Sequence, residues 1–260
     1  MQSYFRMIQT PLVMINIRCS KYKRRCGQGE KMAEELLVFK NVNKVYENGE
    51  ERIYALKNIN LSIFRGEFVA ILGMSGSGKS TFMNIVGGLD RPDSGVFLYE
   101  GENIRRYDDA RMSRYRNQVI GFIFQNFNLD PSLTALENVV MPLIYAGVPR
   151  GKRVPMAETA LERVGLRSRM HHRPAELSGG QMQRVCIARA MVNRPKIILA
   201  DEPTGNLDKK SGELVMGLLK ELSQSGYTIL MVTHNSFQAR SAGRVIEISD
   251  GSIMRDVYTK

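Results

Sequence analysis

The 260-residue chain is long enough for one sizeable domain, and 43% hydrophobic with 24% charged residues is the composition of an ordinary globular protein. No apolar run approaches the roughly 18 residues of a membrane span, so a membrane partner would have to supply the spans. The formal charge is +11, but aromatic and basic residues are not interleaved, so we expect no nucleic-acid partner. The cysteines Cys19, Cys26 and Cys186 form no disulfide framework and no close metal spacing, which fits a reducing compartment.

The first 31 residues differ from the rest, with seven basic residues and one acidic residue. A coherent strand pattern begins only after Met32, at residues 36–39. We therefore hypothesise that residues 1–31 are a non-native or disordered basic extension, that Met32 is the true start and that residues 32–260 form the folded domain. The alternative is a disordered basic arm that touches anionic lipid.

Strand patterns follow in chain order. Ile59, Leu61 and Ile63 alternate with polar residues, as in a half-buried strand, and Val96 with Leu98 indicates a short strand. Residues 68–72 form a continuous apolar run, which is typical of a buried parallel strand. Further strands are predicted at residues 119–124, 197–200, 228–232 and 245–248. Asp250-Gly251 predicts a tight hairpin turn near the end of the chain.

Helical patterns lie between these strands. Residues 126–193, approximately, have helical character, and one further helix face is predicted from five residues, Leu214, Val215, Leu218, Leu219 and Leu222. Strands and helices that alternate around a helical insertion predict an α/β core that carries a helical subdomain.

Residues 73–80, Gly-Met-Ser-Gly-Ser-Gly-Lys-Ser, match the phosphate-binding P-loop and lie between a buried strand and a helix. We call them the phosphate loop. Its backbone N–H groups and the start of the helix favour phosphates. We expect Lys79 to neutralise the β- and γ-phosphates, Ser80 to bind Mg²⁺ and Thr81 to donate to the α-phosphate. The predicted nucleotide contacts here are Gly73, Ser75, Gly76, Ser77, Gly78, Lys79, Ser80 and Thr81.

Residues 177–181, Leu-Ser-Gly-Gly-Gln, resemble the signature of ABC transporter ATPases letter for letter, and we call them the signature segment. Ser178 would cap a helix whose Gly179 and Gly180 expose backbone N–H groups. Alone this is an ordinary capped helix, but the other family motifs occur in family order. The resemblance runs from about Leu36 to Val257. It implies ATP as ligand and a P-loop NTPase (RecA-like) core with an antiparallel β subdomain and an inserted helical subdomain.

Residues 197–202, Ile-Ile-Leu-Ala-Asp-Glu, look like the Walker B strand of that family. By resemblance, Asp201 holds Mg²⁺ largely through water, and Glu202 polarises the attacking water as general base. Gln125 resembles the Q-loop glutamine, which would sense Mg²⁺ and that water. His234 resembles the switch histidine that contacts the γ-phosphate.

Residues 205–208 resemble the D-loop, through which Asp208 would cross a dimer interface. Tyr46 lies where the family places an aromatic ring that stacks on adenine, with Tyr54 and Phe39 as neighbouring alternatives. His171 and His172 have no Cys, Asp or Glu partner at ligand spacing, and we interpret both as surface residues.

The resemblance also implies partners. The signature segment cannot reach the phosphate loop of its own chain in this family, so two subunits would pack head to tail, as a homodimer or with a second, different ATPase subunit. Each ATP would lie between one phosphate loop and four residues of the second subunit, Ser178, Gly179, Gly180 and Gln181. Residues 126–133 would dock a membrane permease at the cytoplasmic face of a bacterial cell membrane.

Within the family, residues 88–95, 133–139 and 200–208 most resemble macrolide exporters, lipoprotein-release ATPases and cell-division ATPases. Permeases of that group have few spans and a large extracytoplasmic domain, and often move peptides, antibiotics or lipoproteins. The alternatives are an importer subunit and a regulatory ATPase that signals across the membrane without transport. A translation factor would need two motor domains, and a chromosome-organising ATPase a long coiled-coil insertion.

Overall fold

Two β-sheets organise the part of the chain that a computed structural model describes, residues 34–49 and 51–259. The predicted extension, residues 1–31, lies outside these residues. The strands are β1 (Glu35–Asn48), β2 (Glu51–Phe64), β3 (Phe68–Leu72), β4 (Ser94–Tyr99), β5 (Glu102–Asn103), β6 (Ile120–Ile123), β7 (Ile197–Asp201), β8 (Thr228–Thr233), β9 (Arg244–Ser249) and β10 (Ser252–Tyr258).

Helices fill the intervals between the strands of the second sheet. They are α1 (Lys79–Val86), α2 (Asp109–Arg114), α3 (Ala135–Tyr145), α4 (Arg150–Arg163), α5 (Gly179–Met191), α6 (Lys209–Gln224) and α7 (Ser236–Ala239). Three short 3₁₀ turns occur at Ile104–Arg106, Arg167–Arg169 and Pro174–Glu176, and a π-helical segment at Tyr115–Val119. No helix within the described ranges is long and apolar enough to cross a membrane.

The first sheet is antiparallel, in the order β2-β1-β4-β5, and the second has the order β10-β9-β3-β8-β7-β6. In the second sheet β9, β3, β8, β7 and β6 are parallel, and only β10 pairs antiparallel, with β9. The predicted α/β core and the antiparallel sheet beside it are confirmed. The strand predicted at residues 119–124 is shorter, because Val119 ends the π-helical segment.

Both faces of the parallel sheet are buried, because successive side chains of a strand point to opposite faces. Val69 and Ile71 of β3 belong to a core shared with α1 and the antiparallel sheet. Ala70, between them, belongs to a second core that is packed by α3, α4, α5 and α6. This double burial explains why β3 is a continuous apolar run in the sequence, whereas β9, nearer the edge of the sheet, carries the exposed Glu247.

The segment between β6 and β7 contains α3, α4 and α5, where a helical insertion is predicted. The described residues form one compact unit, so this helical region stays a predicted subdomain. The predicted helix face is wrong for Leu214, which is 55% exposed, whereas Val215, Leu219 and Leu222 of α6 are buried. At about 100° per residue Leu214 lies roughly a quarter turn away from that buried stripe.

The chain ends in the predicted β9–β10 hairpin. Its turn residues Asp250 and Gly251 have φ of 48° and 77°, which is the conformation of the turns that suit twisted two-stranded ribbons. The Gly251 N–H also donates to the Ser77 carbonyl at 3.0 Å, so the hairpin braces the phosphate loop.

Candidate active site

Four of the predicted motifs meet at one edge of the second sheet. The phosphate loop follows β3, Gln125 lies just past β6, Asp201 and Glu202 stand at the end of β7, and His234 follows β8. These strands are parallel neighbours in the order β3-β8-β7-β6. Their carboxyl ends therefore lie side by side, which is where α/β sheets bind ligands.

The phosphate loop closes tightly against β2. Gly78 has φ of 103°, and a Cβ there would lie 2.3 Å from the Ala55 carbonyl oxygen, so only glycine fits. Gly78 is also the N-cap of α1, and no side chain in the described part of the chain caps the start of this helix. The first N–H groups of α1 are therefore available to an anion.

Lys79 is buried and folded back on the loop. Its Nζ donates to the Met74 carbonyl at 2.5 Å and lies 3.4 Å from Ser77 Oγ. Burial lowers the pKa of Lys79, although the nearby charges of Glu202 and Asp201 oppose that shift. Because a buried ammonium gains from negative charge, a phosphate in this loop would be stabilised.

The two carboxylates at the end of β7 differ in environment. Burial, and then repulsion from Glu202, raises the pKa of Asp201, while Lys79 acts in the opposite direction. Glu202 has a left-handed backbone, with φ of 41°, which is strained for a residue other than glycine. Its N–H donates to the Val232 carbonyl at 3.0 Å, and His234 Nδ1 lies 2.8 Å from its Oε1.

Gln125 lies against the turn that follows Glu202. A Cβ on Gly205 would be 2.8 Å from Gln125 Nε2, and Asn206 Nδ2 donates to the Gln125 carbonyl at 3.1 Å. The sequence predicts no separate role for Asn206. Its contact joins residues 81 positions apart, and no local pattern reveals such a contact.

Tyr46 is held beside the phosphate loop. Its hydroxyl donates to Asp90 Oδ2 at 2.7 Å, and the Thr81 side chain also interacts with this phenol. Burial, and then the hydrogen bond to Asp90, raises the pKa of Tyr46. Of the alternatives, Phe39 is only 2% exposed and stacks on Phe97, so it cannot receive a ligand.

Asp90 anchors this arrangement. Its other oxygen, Oδ1, accepts from Lys44 Nζ at 2.7 Å, and that ammonium lies 5.1 Å from the centre of the Tyr46 ring. In the sequence, residues 88–95 indicate only a resemblance to one subgroup of the family. The contact of Asp90 with Tyr46 required the fold.

The signature segment starts α5, as predicted. Ser178 Oγ accepts from the Gln181 N–H at 3.3 Å, and Gln181 Oε1 accepts from the Ser178 N–H at 2.9 Å. Gly180 is buried in this first turn. Gly179 lies beside the turn that contains Leu207. In the part of the chain that the structure describes, no hydrogen bond joins the signature segment to the phosphate loop.

Asp208 is the N-cap of α6. Its carboxylate accepts from the Ser211 hydroxyl at 2.6 Å and the Ser211 N–H at 3.0 Å, and these two bonds lower the pKa of Asp208. The structure thus shows a helix-capping role for Asp208. Its predicted contact across a dimer interface stays a prediction.

The oxygen donors at the sheet edge suit Mg²⁺, which prefers hard oxygen ligands and completes its shell with water and phosphate oxygens. They are the Ser80 hydroxyl, the Asp201 carboxylate and the Gln125 amide. Within the described residues no group of three or more His, Cys, Asp or Glu could hold a metal ion, and this includes His171 and His172. The residues fit an ion that is bound together with a nucleotide.

Comparison with known proteins agrees with this geometry. The model of the ABC transporter family matches residues 56–205, more than half of the chain. An ABC transporter ATP-binding protein of Thermotoga maritima is 50% identical over 220 residues, which are 85% of this chain and 94% of that protein. The macrolide export ATP-binding/permease protein MacB of Escherichia coli is 50% identical over 223 residues, and the chain spans only 34% of its length.

Solved structures show the same family. A dimeric post-hydrolysis state of the ATP-binding cassette MJ0796, bound to ADP and Pi, has a TM-score of 0.80 and 47% identity. The match covers 86% of this chain and 99% of that one. The chain therefore belongs to the ABC transporter family of ATP-binding proteins, and it is an ATPase.

Proposed function

We propose that this ABC-family ATPase hydrolyses ATP between two copies of itself, and that it drives an export-type or mechanotransmitting membrane complex. The observation that carries the proposal is the Glu202 carboxylate, held 2.8 Å from His234 at the same sheet edge as the phosphate loop. The site therefore combines a phosphate cradle with an oriented base, as hydrolysis requires.

The phosphate loop and Tyr46 bind the nucleotide. The backbone N–H groups of residues 73–78 and the start of α1 surround the phosphates, and Lys79 turns from the Met74 carbonyl to the β- and γ-phosphates. The Tyr46 ring stacks on adenine, while Asp90 holds its hydroxyl and the Lys44 ammonium lies 5.1 Å from the ring centre. Gly73, Ser75, Gly76, Ser77 and Thr81 complete the contacts.

Three residues carry out hydrolysis: Glu202, Gln125 and His234. Glu202 accepts a proton from the attacking water, and Gln125 positions that water. His234 orients the Glu202 carboxylate and reaches the γ-phosphate. Mg²⁺, when bound, neutralises phosphate charge, and Ser80, Asp201 and Gln125 would hold it. The raised pKa of Asp201 supports this role, because a carboxylate destabilised by burial gains from a cation.

The signature segment acts across a dimer interface. In each subunit Ser178, Gly179, Gly180 and Gln181 meet the phosphates bound by the other subunit, and Asp208 lies near the same interface. Two observations support this. The capped start of α5 makes no hydrogen bond with the phosphate loop among the described residues, and the similar MJ0796 cassette is dimeric with ADP and Pi bound.

A membrane permease with a large extracytoplasmic domain is the partner we propose, at the cytoplasmic face of a bacterial membrane. Several relatives are named as ATP-binding/permease proteins for macrolide or pyoverdine export, at 50–51% identity. These names support an exporter of antibiotics, peptides or lipoproteins over an importer or a regulatory ATPase.

The test is the Glu202→Gln variant, purified from native membranes with ATP and Mg²⁺. We expect it to bind ATP, to form a stable dimer in light scattering and to lose hydrolysis, because the amide cannot accept the proton. Mass spectrometry should identify a permease with few spans and a large outer domain in the same complex.

The exposed Glu221→Gln variant is the matched control, since it makes the same chemical change on the outside of α6. It should hydrolyse ATP and show no ATP-stabilised dimer. A Glu202→Gln protein that stays monomeric with ATP would overturn the dimer mechanism. A permease with many spans, together with a solute-binding protein, would replace export with import.

A further inference from the structure

One side of α5 is hydrogen-bonded to the backbone around Gln125, which we call the Q-segment (residues 124–128). Gln183 Nε2 donates to the Phe124 carbonyl at 3.4 Å, and Cys186 Sγ to the Phe127 carbonyl at 3.1 Å. Arg189 donates to the Phe127 carbonyl at 2.8 Å and the Asn128 carbonyl at 2.5 Å. Three side chains at three-residue spacing thus hold carbonyls on both sides of Gln125.

The Q-segment needs such support. Phe127 and Asn128 both have left-handed backbones, with φ of 62° and 50°. For a side chain as large as phenylalanine this conformation is strained, and it persists only where the surroundings impose it. The thiol stays a neutral donor because burial raises the pKa of Cys186 to about 12. The donors of α5 therefore stabilise the backbone that carries Gln125.

Gln183 reaches a second segment. Its Nε2 also donates to the Pro203 carbonyl at 2.9 Å, next to Glu202, and the side chain is only 1% exposed. Its Oε1 has no hydrogen-bond partner in the described part of the chain, and such a buried acceptor destabilises a protein. An apolar residue at position 183 would leave no buried oxygen without a partner. We therefore attribute the glutamine to its two donated hydrogen bonds, one to the Q-segment and one to the segment after Glu202.

We propose that Gln183 and Arg189 are positioning residues that couple the signature segment to Gln125, so that occupancy of one ATP site sets the geometry of the other. This rests on the proposed function, in which the start of α5 meets the nucleotide bound by the second subunit. A helix moves as a rigid body, so a displacement at Ser178 shifts the donors further along it. Those donors then move the Q-segment and its glutamine.

The discriminating variant is Arg189→Lys, which keeps the charge but replaces the planar, two-pronged guanidinium with an ammonium that cannot reproduce its fork geometry toward the two carbonyls. Arg184→Lys is the matched control. Arg184 is on the same helix, but it donates to the Val164 carbonyl at 3.0 Å and, at 3.4 Å, to those of Gly165 and Gly180. Both changes remove a guanidinium from α5, and only one of them touches the Q-segment.

Hydrogen exchange without nucleotide tests the structural part of the proposal. Arg189→Lys should speed exchange of residues 124–130, and Arg184→Lys should leave it as in the parent protein. In the Glu202→Gln background, ATP should protect residues 124–130, and Arg189→Lys should remove that protection while ATP still binds.

Steady-state kinetics test the functional part. We expect Arg189→Lys to lower kcat about 10-fold with the ATP affinity changed less than about twofold, as for a displaced positioning group. We expect the rate of the parent protein to rise sigmoidally with ATP concentration, because under the proposal one occupied site prepares the other, and the rate of Arg189→Lys to lose that sigmoidal form. Gln183→Met, which removes the unpartnered oxygen, should keep the melting temperature and also lower kcat.

Two results would overturn the proposal: equal kcat for Arg189→Lys and Arg184→Lys, or unchanged exchange of residues 124–130 in Arg189→Lys. Failure of the proposed function would give a different result: the Glu202→Gln variant would still hydrolyse ATP, with either arginine or lysine at position 189. Should Arg189→Lys not fold, Gln183→Met decides alone by the same exchange and kcat measurements.

Discussion

His234 Nδ1 lies 2.8 Å from Glu202 Oε1, so the residue after β8 orients the carboxylate at the end of β7. The two strands are parallel neighbours, with Asp201 opposite Val232. The Val232 carbonyl accepts the Glu202 N–H and thereby holds the strained backbone of Glu202, whose φ is 41°. The direction of the proposed base is therefore set by an adjacent strand and not by its own sequence neighbours.

Removing the His234 side chain should slow ATP hydrolysis without weakening ATP binding. We expect His234→Ala to lower kcat about 100-fold, the lower range for a general base, because Glu202 then samples other directions. The ATP dissociation constant, measured by calorimetry, should stay within about threefold. His172→Ala is the control, since the imidazole of His172 has Arg169 as its only hydrogen-bond partner among the described residues. Equal kcat in the two variants would contradict the prediction.

Gly205→Ala should displace Gln125. The added methyl group would lie 2.8 Å from Gln125 Nε2, the end of a flexible side chain, so the amide moves while the fold is kept. We expect kcat to fall about 10-fold, as for a misplaced positioning group, with little change in melting temperature. Gly217→Ala in α6 is the control, because nothing lies within 4 Å of its added Cβ. It should keep kcat and raise the melting temperature slightly.

Tyr46→Ala should weaken ATP binding about 10-fold, because base–aromatic stacking contributes about 1–3 kcal/mol. Binding of inorganic triphosphate, which has no base, should not change. Tyr54→Ala, at a more exposed ring of the paired strand, should bind ATP as the parent protein does. Titration calorimetry with ATP and with inorganic triphosphate measures the affinities of both variants. A loss of ATP affinity in Tyr54→Ala alone would mean that adenine stacks on Tyr54 and not on Tyr46.

Arg244→Ala should destabilise the fold. The buried guanidinium donates to both oxygens of Asp256, at 2.7 and 2.6 Å, and to the Ser62 carbonyl at 2.9 Å. Removing one partner of a buried pair costs about 3–5 kcal/mol. The exposed pair of Arg52 with Glu47 is the control, and Arg52→Ala should cost less than about 1 kcal/mol. Urea unfolding measures the stability of both variants, and similar unfolding midpoints for Arg244→Ala and Arg52→Ala would contradict the prediction.

Asp201→Asn should stabilise the nucleotide-free protein in a pH-dependent manner while it abolishes hydrolysis. Burial and Glu202 raise the pKa of Asp201 in the folded state, so its ionised form opposes folding. That cost is absent below the unfolded pKa and complete above the folded pKa, so stability falls as the pH rises between them. The melting temperature of Asp201→Asn should therefore exceed the parent value by more at pH 8 than at pH 3, below the ordinary pKa of 3.8, measured without Mg²⁺.

Local sequence determined the elements and most of the fold. The apolar runs predicted the parallel strands because a strand buried on both faces has no polar side chain to reveal alternation. The phosphate loop, the capped start of α5 and the turn at Asp250-Gly251 are conformations that a few adjacent residues specify. The family resemblance rests on the same short motifs, which is why it was visible without coordinates.

Only the tertiary structure decided which distant side chains meet. Neither the contact of Asp90 with Tyr46 nor the links from α5 to the Q-segment follow from spacing, because each joins residues more than 40 positions apart. Leu214 was assigned to the wrong face for a related reason, since periodicity predicts a stripe but not where the neighbouring surface ends. Such contacts depend on how strands are ordered and helices docked, which is set by the packing of the whole core.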